Sequence, residues 1–463
     1  MPLTGQPVRT LSLAIVAASS AALLLAMPRP ALAQTPQDPP PAAAPRALPL
    51  LTTADLVAQS SGSGNGKKKS KPIFDYKDKP TFHLGPADIS PKARVQFDSR
   101  HSQAAVADIE DQQGDVARQR IGVEGVVAKA VDFQVERELD DPNDPWRDVY
   151  VNVSKFEFAQ VQYGKFKLPF GLEENTGAPN LDFVYRALVS NTLAPGRDRG
   201  VMFHGRALDK SIIYDYGVFD HDGRNAFSNN PLRVYGDQTK VFHGAVRPLR
   251  FMKLKQIRDA EIGGSWATTN LAEGLPGIRG RTVLGQTFFS ANYPVNGERK
   301  RVGFEARWHP GPATIQGEYI KMTEERLGLS VEDGPLSPLQ SIGWYVQGAY
   351  VITGDEKADG LTSPKRPFLQ GSIGAVEVAV RVERLSFDST ADLPGQLPST
   401  SPRAEVIFGN SDKAVTFGVN WYANKWVKIQ FNFIRETLAD PSLGPLPQQP
   451  SFNSKVIRFM FQL

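Results

Sequence analysis

Side chains along residues 453–463 change character at every step: Ile457, Phe459, Phe461 and Leu463 fall on one face, and Val456, Arg458, Met460 and Gln462 on the other. A period of two is the signature of an extended strand with one apolar face, and no helix can satisfy it. The same pattern recurs from residue 81 onward. Val376, Val378, Val380 and Val382 oppose Glu377, Arg381 and Glu383, while Val427, Ile429, Phe431 and Phe433 oppose Lys428, Gln430 and Asn432. Sixteen segments carry it, near residues 92–100, 118–128, 131–139, 148–157, 160–168, 200–207, 211–219, 239–250, 260–270, 300–309, 312–322, 340–352, 371–387, 413–422, 426–436 and 453–463.

The spacing of these strands separates a sandwich from a closed barrel. Connections after even-numbered strands are mostly brief, as at Lys129 and Ala130 or at Pro310 and Gly311. Those after odd-numbered strands tend to be long, including 101–117, 169–199, 220–238, 271–299 and 388–412. The connection 353–370 is the main exception. Alternating short turns and long loops, with about ten residues per strand, match an all-β transmembrane antiparallel barrel whose outward face meets lipid. Closure removes the open edges of so large a sheet. Trp308, Trp421, Tyr422, Trp426 and Phe461 map to one rim and Trp344 to the other, where interfacial aromatics belong.

The amino-terminal residues agree. Arg9, an apolar run over residues 11–26 and Ala31-Leu32-Ala33 form a Sec-type signal peptide, residues 1–33, with cleavage expected after Ala33. Residues 34–80 are rich in Pro and Ala, then Gly and Ser, then Lys, and read as a flexible periplasmic leader. Residues 81–463 form the barrel domain. The chain has no cysteine, which excludes lipoprotein anchoring, disulfides and thiolate metal sites. From residue 80 onward there are 44 Lys/Arg against 45 Asp/Glu, a net of −1 that gives nucleic-acid binding no support.

Alternation assigns the strand charges to the interior, because Arg or Lys on the lipid face at mid-bilayer costs about 2–4 kcal/mol. The basic set includes Lys92, Arg94, Arg118, Arg120, Lys165, Lys167, Arg206, Arg247, Arg307, Arg381, Lys428 and Arg458, and the acidic set Asp98, Glu124, Asp132, Glu136, Glu305, Glu318, Glu377 and Glu383. Most are expected to pair across strands as wall structure. An interior so charged holds water.

Several runs together resemble the phosphate-selective porin O and P family: GKFKLPFGLE at 164–173, GVMFHG at 200–205, RQRIGVEGVVAKAVDFQVERE at 118–138, GPATIQGEYI at 311–320, WYVQGAYVITGD at 344–355 and GAVEVAVRVERL at 374–385. The resemblance covers residues 90–463 and implies a sixteen-stranded barrel, usually a homotrimer, in the bacterial outer membrane. It also implies that the third extracellular loop, here 169–199, folds inward to narrow the pore. The connection 353–370, with Lys357, Lys365 and Arg366, corresponds to the inward periplasmic loop of some members. Arginines and lysines at the constriction guide anions in the phosphate-selective members. Here the third loop carries Arg186, Arg197 and Arg199 beside Glu173, Glu174, Asp182 and Asp198.

The expected anion path is Lys165, Lys167, Arg186, Arg197, Arg199 and Arg206, with Arg118, Arg120, Arg247, Lys365 and Arg366 further along the lumen. The expected partners are outer-membrane lipid, small anionic or polar solutes and, through Phe459, Phe461 and Leu463, the barrel-assembly machinery. A porin for sugars or carboxylates without phosphate selectivity and a secreted β-rich adhesion protein are the alternatives. No cofactor or catalytic motif emerges: Gly263-Gly264-Ser265-Trp266-Ala267 is a near-miss to a nucleophile elbow inside a strand, and Asp140, Asp141, Asp144 and Asp148 read as a solvated acidic turn before a calcium site.

Overall fold

Sixteen antiparallel strands close on themselves in the computed structural model. It describes residues 72–76, 79–103, 115–226, 238–290, 293–328, 334–357, 363–389, 394–395, 399–444, 446 and 448–463. The expected signal peptide, and the expected leader up to residue 71, lie outside these. The strands are β1 (Ala87–Ser102), β2 (Asp115–Val127), β3 (Val131–Glu138), β4 (Trp146–Phe156), β5 (Ala159–Lys167), β6 (Arg197–Ala207), β7 (Ile212–Phe219) and β8 (Thr239–Val246). They continue as β9 (Glu261–Pro276), β10 (Pro294–Trp308), β11 (Ala313–Leu327), β12 (Pro335–Val351), β13 (Ala375–Ser389), β14 (Asn410–Tyr422), β15 (Val427–Leu438) and β16 (Ser451–Gln462).

Each strand pairs with the next, and β16 pairs with β1 through Phe459 opposite Phe97 and Arg458 opposite Asp98. Every segment expected from the alternation is a strand. Several run further toward the long connections than alternation indicated, β9 to Pro276 and β11 to Leu327. Ahead of the barrel, the short strand Thr81–Leu84 pairs with the start of β1, and Phe74–Asp75 pairs with it in turn.

Burial follows the two faces. Val380, Val382, Phe417, Val419, Phe431, Ile457 and Phe459 are exposed, whereas Glu377, Arg381, Asn420, Gln430, Asn432 and Arg458 on the alternate positions are buried. Such an inverted arrangement, apolar outside and polar inside, is stable only where the outside solvent is hydrocarbon. Tyr422 departs from the expected aromatic rim: it is 1% exposed and points inward, with the Lys428 ammonium 4.9 Å from its ring centre. Its parity explains this, since Trp421 takes the outward position and donates Nε1 to Ile373 O at 2.6 Å.

The outward face gives a depth-dependent expectation. Phe431→Arg, in the middle of β15, should lower folding stability by about 2–4 kcal/mol in urea titrations in lipid vesicles, and Val427→Arg at the strand's first residue by about 0–1 kcal/mol. Equal losses at the two positions would contradict the assignment of this face to lipid.

Candidate functional site

The connection between β5 and β6 is the longest segment buried inside the sheet. Leu168, Phe170, Phe183, Ala187, Val189, Leu193 and Ala194 are almost fully enclosed. A buried irregular chain must satisfy its backbone polar groups, and it does so on the polar side chains of the strands. Glu318 accepts from Leu172 N at 3.1 Å and Ser190 Oγ at 2.9 Å, Glu383 from Leu188 N at 2.5 Å and Asn432 from Val184 N at 2.8 Å. Arg458 donates to Val184 O at 2.8 Å, Asn420 to Asp182 O at 2.8 Å, and Arg301 to Leu193 O at 2.7 Å. Gly171 sits at φ 77°, and a Cβ there would collide with Glu318 Oε1.

These partners belong to the arc β10–β16, so the segment lies against that side. Two buried charge clusters hold it there. Lys357, from the connection after β12, is 1% exposed on its side chain; it pairs with Asp182 of the segment and with Glu377 at 2.7 Å. Burial alone would lower the Lys357 ammonium, but Asp182 and Glu377 outweigh it and raise its pKa. Asp222, just after β7, accepts from Arg299 and Arg301 at 2.6 Å each, and Arg299 also reaches Glu324 at 2.5 Å. Burial would raise the Asp222 carboxyl; the two arginines hold it below the ordinary carboxylate range.

The remaining arc leaves open space. A cavity of about 870 Å³ is lined by β1–β6 and the buried segment, with nine cations (Lys92, Arg94, Arg118, Arg120, Arg147, Lys167, Arg186, Arg197 and Arg224) against six carboxylates. Next to it, a cavity of about 390 Å³ is lined by Arg206, Asp215, His243, Arg247, Glu261, Glu305 and Arg307. Lys167, Asn175 and Gly177 line both. A third space of about 520 Å³, among the short turns, shares Arg247 and Arg307 with the second and adds Lys210, Arg250 and Arg258. The three therefore follow one another from the long connections to the short turns.

The expected residues divide on this geometry. Arg118, Arg120, Lys167, Arg186 and Arg197 line the first cavity, and Arg206 and Arg247 the second. Arg120 pairs with Glu138 at 2.6 Å, Arg197 with Asp148 at 2.9 Å, Arg206 with Asp215 at 3.4 Å and Arg247 with Glu261 at 2.9 Å. Arg186 spans the loop turn, reaching Thr176 O at 2.7 Å and the Glu174 carboxylate at 3.4 Å. Arg94 and Arg118 line the cavity with no carboxylate partner among the described residues, and Arg94 Nε is buried without a hydrogen bond.

Lys165 and Arg199 lie elsewhere. They sit opposite one another in the register, on the row of Tyr163 and Val201 that faces outward. Lys165 pairs with Asp144, and Arg199 with Asp220 at 2.6 Å while its side chain stays 68% exposed. The reason is packing: Phe166 and Leu168 turn inward beneath the buried segment, with Phe166 edge-on to Phe219 at 5.3 Å, which leaves Lys165 outside. Asp198 accepts from Arg199 N, His221 N and Gly223 N and so anchors the next connection. Lys365 and Arg366 are exposed and line none of the three cavities.

Arg147 and Arg224 line the first cavity although sequence reasoning did not select them; both lie outside the clean alternation that identified the others. The acidic turn carries no calcium-like arrangement: Asp141 binds Arg147 at 2.7 Å, and no group of three or more His, Asp or Glu able to hold a metal occurs among the described residues.

Glu174 makes the loop anchor sensitive to acid. Burial would raise its carboxyl, but Arg224, Arg186 and Lys167 outweigh burial and bring it down from 4.5 to about 2. A depressed carboxylate stabilises the fold fully above its unfolded value and loses that contribution as pH falls through the folded one. Single-channel current noise should therefore be flat from neutral pH to about 4.5 and rise as pH approaches 2. Glu174→Gln should show the noisy state at neutral pH. A wild-type transition near neutrality would contradict this role for Glu174.

Comparison with known proteins adds three likenesses. Porin O of Pseudomonas aeruginosa is 28% identical over 317 residues, which is 62% of this chain and 66% of that protein, just under two thirds of its length. The anion-selective porin from Comamonas acidovorans superposes with a TM-score of 0.50 at 10% identity, covering 81% of this chain and all of that one. The outer-membrane channel DcaP of Acinetobacter baumannii gives 0.51 at 8% identity, covering 82% and 99%. At these identities the two structures speak for the fold alone. The family model of phosphate-selective porin O and P matches residues 91–463, and the chain belongs to that family of outer-membrane porins.

Proposed function

We propose that the barrel is a passive channel for small anions, phosphate among them, and that the three successive cavities are its path. The observation that carries this reading is the run of cations through shared walls: Arg94, Arg118 and Arg197 in the first space, Lys167 at the junction, Arg206, Arg247 and Arg307 in the second, and Arg250 and Arg258 at the exit. Guanidinium is permanently charged and offers a fork of donors to phosphate oxygens. Several such groups in series replace hydration without trapping the ion, which conduction requires. Partial pairing with Glu138, Asp148, Asp215 and Glu261 weakens each site, so no single one holds the anion tightly.

The buried segment 168–196 is, on this reading, the inward third loop that narrows the path, with Lys167 at its tightest level. Residues 1–33 act as a signal peptide removed after Ala33, residues 34–80 as a periplasmic leader and residues 81–463 as the channel, assembled through the barrel-insertion machinery as a homotrimer. A second reading, a channel passing carboxylates and phosphate alike, is favoured by the six carboxylates in the first cavity, which dilute its positive field.

Substitution separates path from wall. A unit charge about 8 Å from the ion in water contributes about 0.5 kcal/mol, so Arg94→Gln with Arg118→Gln should lower the anion-over-cation permeability ratio about five-fold or more. Arg199→Gln, which faces outward, should leave the ratio unchanged. Millimolar phosphate added to chloride should reduce the single-channel current of the wild type and less so that of the double variant. Loss of selectivity in Arg199→Gln with none in the double variant would overturn the path.

A further inference from the structure

A row of cations stands on the outward face of the barrel at the end carrying the long connections. Arg384 on β13 lies directly opposite Lys413 on β14. On β15 the cation is Arg435, two residues nearer the short-turn end than Thr437, which faces Lys413. On β16 it is Lys455, two residues nearer again than Asn453, which faces Arg435. Strands in a barrel tilt, so a level line must descend in register from strand to strand. The four cations therefore form a belt at one height.

All four are exposed, and none has an ion-pair partner among the described residues. Asp388, further along β13 on the same face, feels the charge of Arg384 but makes no ion pair with it. Like charges directly opposite on neighbouring strands repel, so this face lacks an anion that the chain does not supply. Immediately toward the short turns the same face becomes apolar, with Val382, Phe417, Phe431, Ile457 and Phe459 exposed. Lys300 and Lys321 occupy corresponding outward positions on β10 and β11, where Glu298 neutralises Lys300 at 2.6 Å.

We propose that Arg384, Lys413, Arg435 and Lys455 bind the headgroup of a phosphorylated lipid of the outer leaflet. Its acyl chains lie along the apolar surface below, and its phosphates lie between guanidinium and ammonium groups on adjacent strands about 4.8 Å apart. Continuity with the lipid-facing band selects a lipid over a free anion. A second copy of the chain is a poor occupant, because this level of the outward face presents mainly cations to a partner.

The test uses the full chain in detergent, titrated with bisphosphorylated lipid A and with its dephosphorylated form, and read by native mass spectrometry. Wild type should bind the phosphorylated form about ten-fold or more tightly than the dephosphorylated one, a comparison that needs no variant. Replacing all four cations by Gln should remove that difference while heat-modifiable migration and pore conductance stay intact, and Lys155→Gln with Lys210→Gln at the opposite end should retain it. Equal binding of both lipids by wild type would overturn the proposal. So would inorganic phosphate bound at the belt as tightly as the lipid, or conversion of oligomer to monomer in the four-fold variant with lipid binding unchanged.

Discussion

Hydrocarbon offers no hydrogen bonds, and every other feature of this chain follows from that. Each peptide group at membrane depth must find its partner within the protein, so the strands pair around a ring and β16 returns to β1. Closure turns the period-two pattern into two environments, one in lipid and one enclosed. The residues that would be solvent-facing in a soluble sheet become the lining of a lumen.

That lining does two jobs on two arcs. Along β10–β16 its polar side chains replace water for an irregular segment: Glu318, Glu383, Asn432, Asn420 and Arg458 satisfy backbone groups that burial would otherwise leave unpaired. Along β1–β10 similar side chains face open space, and on the proposed reading they keep their charge available to a moving ion. Paired charges are still useful there. On the proposed path, Arg197 held by Asp148 would be a weaker site than a free arginine, and weak sites in series let an anion leave as well as enter. Near-zero total charge is therefore compatible with a local path where cations outnumber carboxylates.

The strands were legible because alternation is imposed by two solvents along their length, as in 131–139 against the observed Val131–Glu138. Legibility failed where one solvent changed. Beyond the membrane band β11 and β12 continue to Leu327 and from Pro335, with Arg326 buried and Ser337 bonded to Glu405, so apolar-out no longer marks the face. Charge normally avoids lipid, which argues for Lys165 inside, yet Phe166 and Leu168 take the inward positions beneath the buried segment, where Phe166 packs on Phe219. Arg147, Asp222 and Arg224 depend on where connections come to rest, which no periodicity encodes. Lys357 lies in a connection that both its length and the family resemblance set apart as an inward periplasmic loop, but its contact with Asp182 needs both segments in place.

The central claim is that the enclosed cations set the sign of the transported charge. The zero-current potential of the wild-type protein in a planar bilayer, with a potassium chloride gradient across it, reports that sign without any substitution. The account predicts a potential displaced toward the chloride equilibrium value. A displacement toward the potassium value would contradict it.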